Sequence, residues 1–186
     1  MQDHIFWSYS MLSVTRHMMK CADFDQPNPY PGGRTKATNI MMSQYISGRK
    51  NISNLDRDDA LGQDGKFVCA HCGVIEEKYH WDHLIPRKKL VKEYIPLNQV
   101  RSCGNCNVSR GAKDLMAWHR ENSTFPTLGV LRRYLKLCYF FAERRELLDS
   151  AADFAHRVGL PFDPTRLPRK FPPMELIVWD FAFQQA

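Results

Sequence analysis

Two cysteine pairs constrain this chain more than any other feature. Cys69 and Cys72 form the first pair, in CAHC, and Cys103 and Cys106 form the second, in CGNC, with thirty residues between the pairs. A two-residue gap lets both thiolates of a pair reach one tetrahedral ion, and two such knuckles supply four sulfur ligands. The alternatives are disulfides, which are disfavoured in a reducing compartment, or two unrelated turns. The pattern therefore predicts a structural Zn²⁺ held by four cysteines.

The positive charge of the chain is concentrated around these pairs. The net charge is +6, and residues 66–120 hold ten Lys/Arg against five Asp/Glu, whereas residues 1–65 hold seven of each. A concentrated basic region attracts a polyanion, and nucleic acid is the commonest one. The alternative is a solvated basic surface without a partner. Charge alone leaves both interpretations open.

The composition does not suggest a membrane protein. Apolar residues make up 44% of the chain, which is enough to form a core, but no run of about 18 uncharged apolar residues occurs. The first residues carry an acid early and lack a basic leader, a pattern that is not typical of a signal peptide. We therefore expect a cytoplasmic protein.

Hydrophobic periodicity and turn residues predict an α+β chain with three segments. We expect a helical extension with a loop over 1–65, a zinc-bound core over 66–121 and a helical extension over 122–186. Prolines and glycines predict a loop over 26–39. The expected helices are 4–20, 40–50, 107–121, 127–148 and about 150–158, and the expected strands lie within 74–83 and 97–102. The helix over 127–148 carries an apolar stripe for packing: Leu128, Leu131, Leu135, Cys138 and Ala142.

One heptapeptide of the central segment, HWDHLIP at residues 80–86, sets two hydratable residues among apolar ones. Trp81, Leu84 and Ile85 are expected to be buried, whereas Asp82 and His83 are not. A histidine has an ordinary pKa of about 6.5 and can accept a proton near neutral pH. His83 is therefore a candidate general base.

Two oxygen ligands for a hard divalent cation are available nearby. Asp82 offers a carboxylate and Asn107 an amide oxygen. Neighbours on a strand point to opposite faces, so Asp82 and His83 can serve one site only if the strand twists or ends there. Pro86, shortly after, is consistent with such an ending.

The order of these residues resembles that of the HNH nucleases of the ββα-metal superfamily. The resemblance covers residues 67–115. It rests on Asp82-His83, Ile85-Pro86, Leu97-Asn98, Cys103, Cys106-Asn107 and Arg110-Gly111. It implies a ββα-metal core, a β-hairpin followed by a helix, embedded in the helical extensions. It also implies an endonuclease that hydrolyses double-stranded DNA, as in restriction or defence, with Mg²⁺ or Mn²⁺ as the catalytic cofactor.

The resemblance further implies supporting roles. Asn98 matches the asparagine that holds the family's loop and orients the histidine, and Asn107 completes the catalytic set. Arg110 lies one helical step beyond Asn107 and is expected to contact a phosphate. Further phosphate contacts are expected from lysines and an arginine that are otherwise solvated surface charges: Lys88, Lys89, Arg101 and Lys113.

The alternative function is a zinc-stapled nucleic-acid-binding module, or a nuclease subunit without independent catalysis. A binder needs the four cysteines and the basic region, but it has no use for Asp82, His83 and Asn107 together. His71 is expected to fill the first knuckle rather than bind the metal, and His119 carries no signal. The sequence leaves a homodimer open.

Overall fold

The computed structural model describes residues 1–53, 67–87, 96–154 and 158–181. In this part of the chain, helices and strands follow the order α1 (Gln2–Asp23), α2 (Arg34–Ile46), β1 (Phe67–Val68), β2 (Ile75–Glu76), β3 (His80–His83), β4 (Gln99–Ser102), α3 (Gly104–Arg110), α4 (Leu115–Glu121) and α5 (Leu128–Arg144). Single 3₁₀ turns occupy Pro96–Asn98, Pro164–Arg166 and Met174–Leu176. The mixture of helices and antiparallel strands confirms the α+β class.

α1, α2 and α5 form the helical body of the protein. α1 packs against both α2 and α5. Thr127 caps α5, because its hydroxyl accepts a hydrogen bond from the Val130 N–H. The apolar stripe expected on α5 is fully buried: Leu128, Leu131, Leu135, Cys138 and Ala142. None of the helices within the described ranges is both long and apolar enough to cross a bilayer.

The start of α2 corrects the loop that was predicted over 26–39. The prolines of that stretch end at Pro31 and its glycines at Gly33, so nothing prevents a helix from Arg34 onward. Thr38 donates its hydroxyl to the Arg34 carbonyl at 2.8 Å, within the first turn of α2. The connection from α1 to α2 is therefore residues 24–33.

Two antiparallel strand pairs carry the cysteines. β1 pairs with β2, and β3 pairs with β4. In the longer pair, Asp82 lies opposite Val100 and His83 lies opposite Gln99. Cys69 directly follows β1 and Cys103 directly follows β4. The end of a strand therefore positions one cysteine of each knuckle.

The single helix predicted over 107–121 is wrong, because the chain forms two helices there. α3 begins at Gly104, inside the second cysteine pair, and ends at Arg110. Gly111 follows with a φ of 50°, in the left-handed region that glycine adopts without strain. Asp114 then caps α4 by accepting a hydrogen bond from the Ala117 N–H at 3.0 Å.

One hydrophobic core joins all three segments of the chain. It includes Ile5 of α1, Leu84 and Ile85 after β3, and Leu135 of α5. A second, smaller cluster contains Phe67, Cys69 and Cys103. The helical extensions therefore share their core with the hairpin, while the cysteine knuckles pack separately.

β3 reverses the burial that was expected for two of its residues. Trp81 is 50% exposed, whereas Asp82 is only 3% exposed. Trp81 lies opposite Arg101, and its ring meets the ring of Tyr79 edge-on with centroids 5.2 Å apart. A buried carboxylate requires polar partners, and those of Asp82 come from the first knuckle and from α3.

Candidate functional site

The four cysteines come together as their spacing predicted. Their Sγ atoms all lie within 4.8 Å of one another, and the Sγ atoms of Cys72 and Cys103 are 3.8 Å apart. Zn–S bonds of about 2.3 Å in a tetrahedron place neighbouring sulfur atoms roughly 3.8 Å apart. The cluster therefore fits a structural metal such as zinc.

Tight backbone turns bring these sulfur atoms together. Gly73 closes the first knuckle with a φ of 76°, and its N–H donates to the Cys69 carbonyl at 2.9 Å. A β-carbon at Gly73 would also lie 2.7 Å from the ring of Phe181, so only glycine fits. In the second knuckle, the Cys103 sulfur caps α3 by accepting a hydrogen bond from the Cys106 N–H at 3.4 Å.

Two thiols of this cluster, Cys72 and Cys106, resist ionisation, whereas hydrogen bonds from the knuckle backbone lower the pKa of Cys69 against the effect of its burial. Burial raises the pKa of Cys72 to about 11, and the hydrogen bond with Cys69 acts in the same direction. Burial also raises the pKa of Cys106, and repulsion by the nearby Cys69 adds to it. Because thiolates are the metal-binding form, a bound cation would displace these protons and neutralise the sulfurs' mutual repulsion.

Asp82 is the centre of a second, buried polar cluster. His71 donates from Nε2 to Oδ2 of Asp82 at 2.8 Å, and Arg110 donates from Nη1 to Oδ1. Arg110 also donates from Nη2 to the Leu84 carbonyl at 2.7 Å. These bonds connect the first knuckle, β3 and α3.

Hydrogen-bond partners keep Asp82 charged despite its burial. Burial alone would raise the pKa of Asp82, but the hydrogen bond from His71 and the charge of Arg110 outweigh it, so the pKa is lowered. The ring of His119 lies beside His71, with centroids 5.8 Å apart. Burial, with repulsion by His71 and Arg110, lowers the pKa of His119 to about 3. His119 is therefore neutral at physiological pH.

Asn98 fastens the chain that follows β3. Its Oδ1 accepts from the Ile85 N–H at 2.8 Å, and its Nδ2 donates to the Ile85 carbonyl at 2.6 Å. Its own carbonyl accepts from the Leu84 N–H at 2.9 Å. Both side-chain bonds of Asn98 go to Ile85, so the structure places it as a holder of the loop, not as a partner of His83.

His83 is oriented by a different residue. Its Nε2 lies 2.9 Å from Nε2 of Gln99, the residue directly opposite on β4. Arg133 of α5 holds Gln99 in turn, by donating from Nη1 to its carbonyl at 2.7 Å. Burial lowers the pKa of the half-buried His83, with Asp82 opposing the shift and Arg87 adding to it. The imidazole is therefore neutral near pH 7.

Comparison with known proteins adds no relative. No protein-family model, no curated protein and no solved structure matches this chain. The assignment of its chemistry therefore depends on its own residues, and the resemblance to the HNH nucleases stays a hypothesis.

Of the two residues predicted to bind a divalent cation, Asn107 is positioned to do so and Asp82 is not. Asn107 is half-buried on α3, and its amide makes no hydrogen bond with any residue in the described ranges, so its oxygen is available. Asp82 does not fit as a ligand, because His71 and Arg110 occupy its two carboxylate oxygens and its side chain is buried. A Mg²⁺ or Mn²⁺ ion does not fit beside Asp82 in this arrangement.

The predicted phosphate contact of Arg110 does not agree with its position. Arg110 is 1% exposed, and its guanidinium is directed to Asp82 and to the Leu84 carbonyl. A buried guanidinium with these partners has no surface to offer a DNA strand. Its physical role is to compensate the charge of Asp82 inside the core.

The other predicted DNA contacts have different surroundings. Arg101 is half-buried, with its guanidinium carbon 5.2 Å from the ring centre of Tyr79. Lys113 is exposed and forms an ion pair of 2.7 Å with Glu121. The remaining two predicted contacts lie outside the described residues: Lys88 and Lys89.

Sequence reasoning missed two residues of the site, His71 and Gln99. His71 meets Asp82 across 11 positions of sequence, and its place inside a knuckle gave no sign of that partner. Gln99 becomes a neighbour of His83 only through the register of β3 and β4. That register was the one available signal, since cross-strand neighbours contact each other on one face of a sheet.

Proposed function

We propose that this chain is a DNA endonuclease in which His83 acts as the general base. The observation that carries the proposal is a neutral, half-buried imidazole on a β-hairpin that leads into a helix, in the residue order of the HNH nucleases. A general base must be reachable and unprotonated at the working pH, and His83 meets both conditions. The expected substrate is double-stranded DNA.

Hydrolysis of a phosphodiester requires a water nucleophile and a group that removes its proton. The side chain of Gln99 can turn either its amide nitrogen or its amide oxygen toward His83. With the oxygen toward His83, Nε2–H donates to Gln99 and the lone pair of Nδ1 is left to accept the proton from water. Arg133 holds the backbone of Gln99 to α5, whichever amide atom faces His83.

A divalent ion such as Mg²⁺ or Mn²⁺ would supply charge stabilisation at the leaving oxygen. Asn107 fits as a ligand for it, and Asp82 as placed does not. We therefore assign Asp82 to the stability of the core, and no catalytic step is derived from it.

A zinc-stapled nucleic-acid-binding module is the second candidate. The engagement of Asp82 by His71 and Arg110 favours it, because a binder needs no available carboxylate. Exposed rings and a cation on the outer face of the hairpin would also suit a binder: Tyr79, Trp81 and Arg101. Plasmid DNA incubated with the pure protein and Mg²⁺ separates the two, because a nuclease cuts the plasmid and a binder only retards it.

The substitution His83→Ala tests the nuclease proposal. We expect it to keep the fold and the affinity for DNA but to lower the cleavage rate by about 100-fold or more, as removal of a general base does. His80→Ala is the matched control, since His80 is an exposed histidine on the same strand and is expected to leave the rate unchanged. Cleavage by His83→Ala at the wild-type rate would remove His83 from the mechanism.

The pH dependence of cleavage should carry the signature of the same residue. The base works only when unprotonated, so the rate should rise with pH through the pKa of His83 and then level off. Because burial lowers that pKa, the midpoint of the acid limb of kcat/KM should lie below about 6.5. A midpoint well above this value would point to a base other than His83.

A further inference from the structure

A cavity of about 410 Å³ lies between α4 and the segment of residues 165–170. One wall is formed by α4 and the chain after it, with His119, Arg120 and Phe125, and the other by residues 165–170. Its volume falls in the range of roughly 300–1,000 Å³ that is usual for small-molecule sites. The residues that line this cavity include none of the four cysteines and no residue of β3 or β4.

The cavity is lined by four cationic side chains: Arg120, Arg166, Arg169 and Lys170. Arg166 has a carboxylate partner, Asp163, at 3.0 Å, which holds its guanidinium in place. Arg120 and Lys170 are exposed and form no ion pair with any other described residue. This surplus of positive charge favours an anionic ligand, and guanidinium groups match the oxygens of a phosphate in particular.

Both walls are held in position without a ligand. The Trp7 indole N–H donates to the Arg169 carbonyl at 2.8 Å, and the Ser8 hydroxyl donates to the Pro168 carbonyl at 2.9 Å. These bonds anchor the second wall to α1. On the first wall, the Thr124 N–H donates to the His119 carbonyl at 2.9 Å. A site that is ordered before binding loses less conformational entropy when a ligand arrives.

A buried polar atom of the cavity lining lacks a partner. His119 is 1% exposed, and its Nδ1 is 2.9 Å from the Thr124 hydroxyl. Its Nε2 is buried and has no hydrogen-bond partner in the described part of the chain. Because solvent does not reach this atom, it lies inside the wall of the cavity, and the contacts with a ligand come from the exposed cations instead.

We propose that this cavity binds a nucleotide through its phosphate group. The cations would hold the phosphate, and the apolar part of the lining would take the base and sugar: Met116, Phe125, Leu167 and Pro168. The phosphate comes either from a free mononucleotide or from the 5′ end of a nucleic-acid strand. The proposal concerns binding alone, so it does not depend on nuclease activity.

Isothermal titration of the zinc-loaded full chain, in buffer without Mg²⁺, tests the proposal. The probes are AMP, adenosine and inorganic phosphate. We expect AMP to bind at least about tenfold more tightly than either of the other two, because each of them makes only one kind of contact. Adenosine binding as tightly as AMP would overturn the proposal.

A double variant locates the binding. Arg120→Gln combined with Lys170→Gln removes one exposed cation from each wall and leaves the core untouched. We expect it to weaken AMP binding by at least about tenfold, from the loss of two charge-assisted contacts. Lys20→Gln combined with Lys50→Gln is the control, equal in charge and also exposed, and should change the affinity less than about twofold. Equal weakening by the two double variants would overturn the proposal.

A pair of oligonucleotides distinguishes the two sources of phosphate. One carries a 5′-phosphate and the other, of the same sequence, a 5′-hydroxyl, and each competes with AMP. Competition by the phosphorylated oligonucleotide alone, lost in the Arg120/Lys170 variant, identifies a strand end as the ligand. Competition by neither, with AMP still bound, identifies a free nucleotide. Equal competition by both, unaffected by the variant, would contradict a phosphate site in this cavity.

Discussion

Removal of zinc is expected to unfold the cysteine knuckles while the helical body stays folded. In the described part of the chain the cysteines pack in their own small cluster, with Phe67, Cys69 and Cys103 buried, so few apolar contacts besides the metal hold the sulfur atoms together. The large core, with α1 and α5, contains none of the four ligands. Structural zinc contributes an apparent binding free energy of about 10–16 kcal/mol in small domains, which exceeds what that cluster can replace.

Metal analysis and hydrogen exchange measure this directly. The pure protein should contain about one zinc per chain, and Cys69→Ser or Cys106→Ser should lose it. Amide protection should then disappear over 67–76 and 103–106 but persist over 128–142. Cys21→Ser is the control, since Cys21 is buried on α1 and is not among the four ligands. A zinc-free wild-type protein with protected knuckles would contradict the assignment.

Breaking the buried pair of Asp82 and Arg110 should cost about 3–5 kcal/mol of the free energy of unfolding, because it leaves one charge buried without its partner. Asp82→Asn leaves the guanidinium uncompensated, and Arg110→Met leaves the carboxylate with His71 alone. Denaturant unfolding of each variant, followed by circular dichroism, gives the loss. A cost below about 1 kcal/mol would contradict the burial of this pair.

Two further variants test whether this loss of unfolding free energy comes from the burial of the pair. Lys113→Gln removes the exposed ion pair with Glu121 and should cost at most about 1 kcal/mol, because solvent screens such pairs. Asp82→Leu combined with Arg110→Met removes both buried charges and should recover part of the loss of either single variant. If the double variant lost as much free energy of unfolding as the two single variants together, the two charges would act independently.

The cysteine cluster and the packing of α5 were both predictable from sequence, for the same reason. Each depends on a short, regular spacing: two residues within each cysteine knuckle, and a helical repeat along the stripe from Leu128 to Ala142. Spacing of this kind fixes geometry locally, within each knuckle and along one helix face, and only the meeting of the two knuckles depends on the rest of the chain.

The reversal of Trp81 and Asp82 shows where local rules stop. Strand alternation states that the two side chains face opposite ways, but it does not state which face is buried. That depended on Arg110 and His71, which lie 28 and 11 positions away and together compensate a buried carboxylate. Hydropathy predicted that the tryptophan would lie on the buried face. The aspartate lies there instead, because two partners distant in sequence form hydrogen bonds with its carboxylate.

The shared core has a consequence for attempts to transplant the hairpin. A fragment limited to residues 66–121 would lack the residues of α1 and α5 that share one core with the fully buried Leu84 and Ile85. Each such side chain contributes about 1.5–3 kcal/mol when buried, so the excised piece would tend to aggregate before its chemistry could be assayed. A host scaffold would have to supply two helices with apolar faces in the places of α1 and α5. The smallest fragment that can be transplanted therefore includes the helices that share a core with the hairpin, and it is longer than the segment that contains the motif.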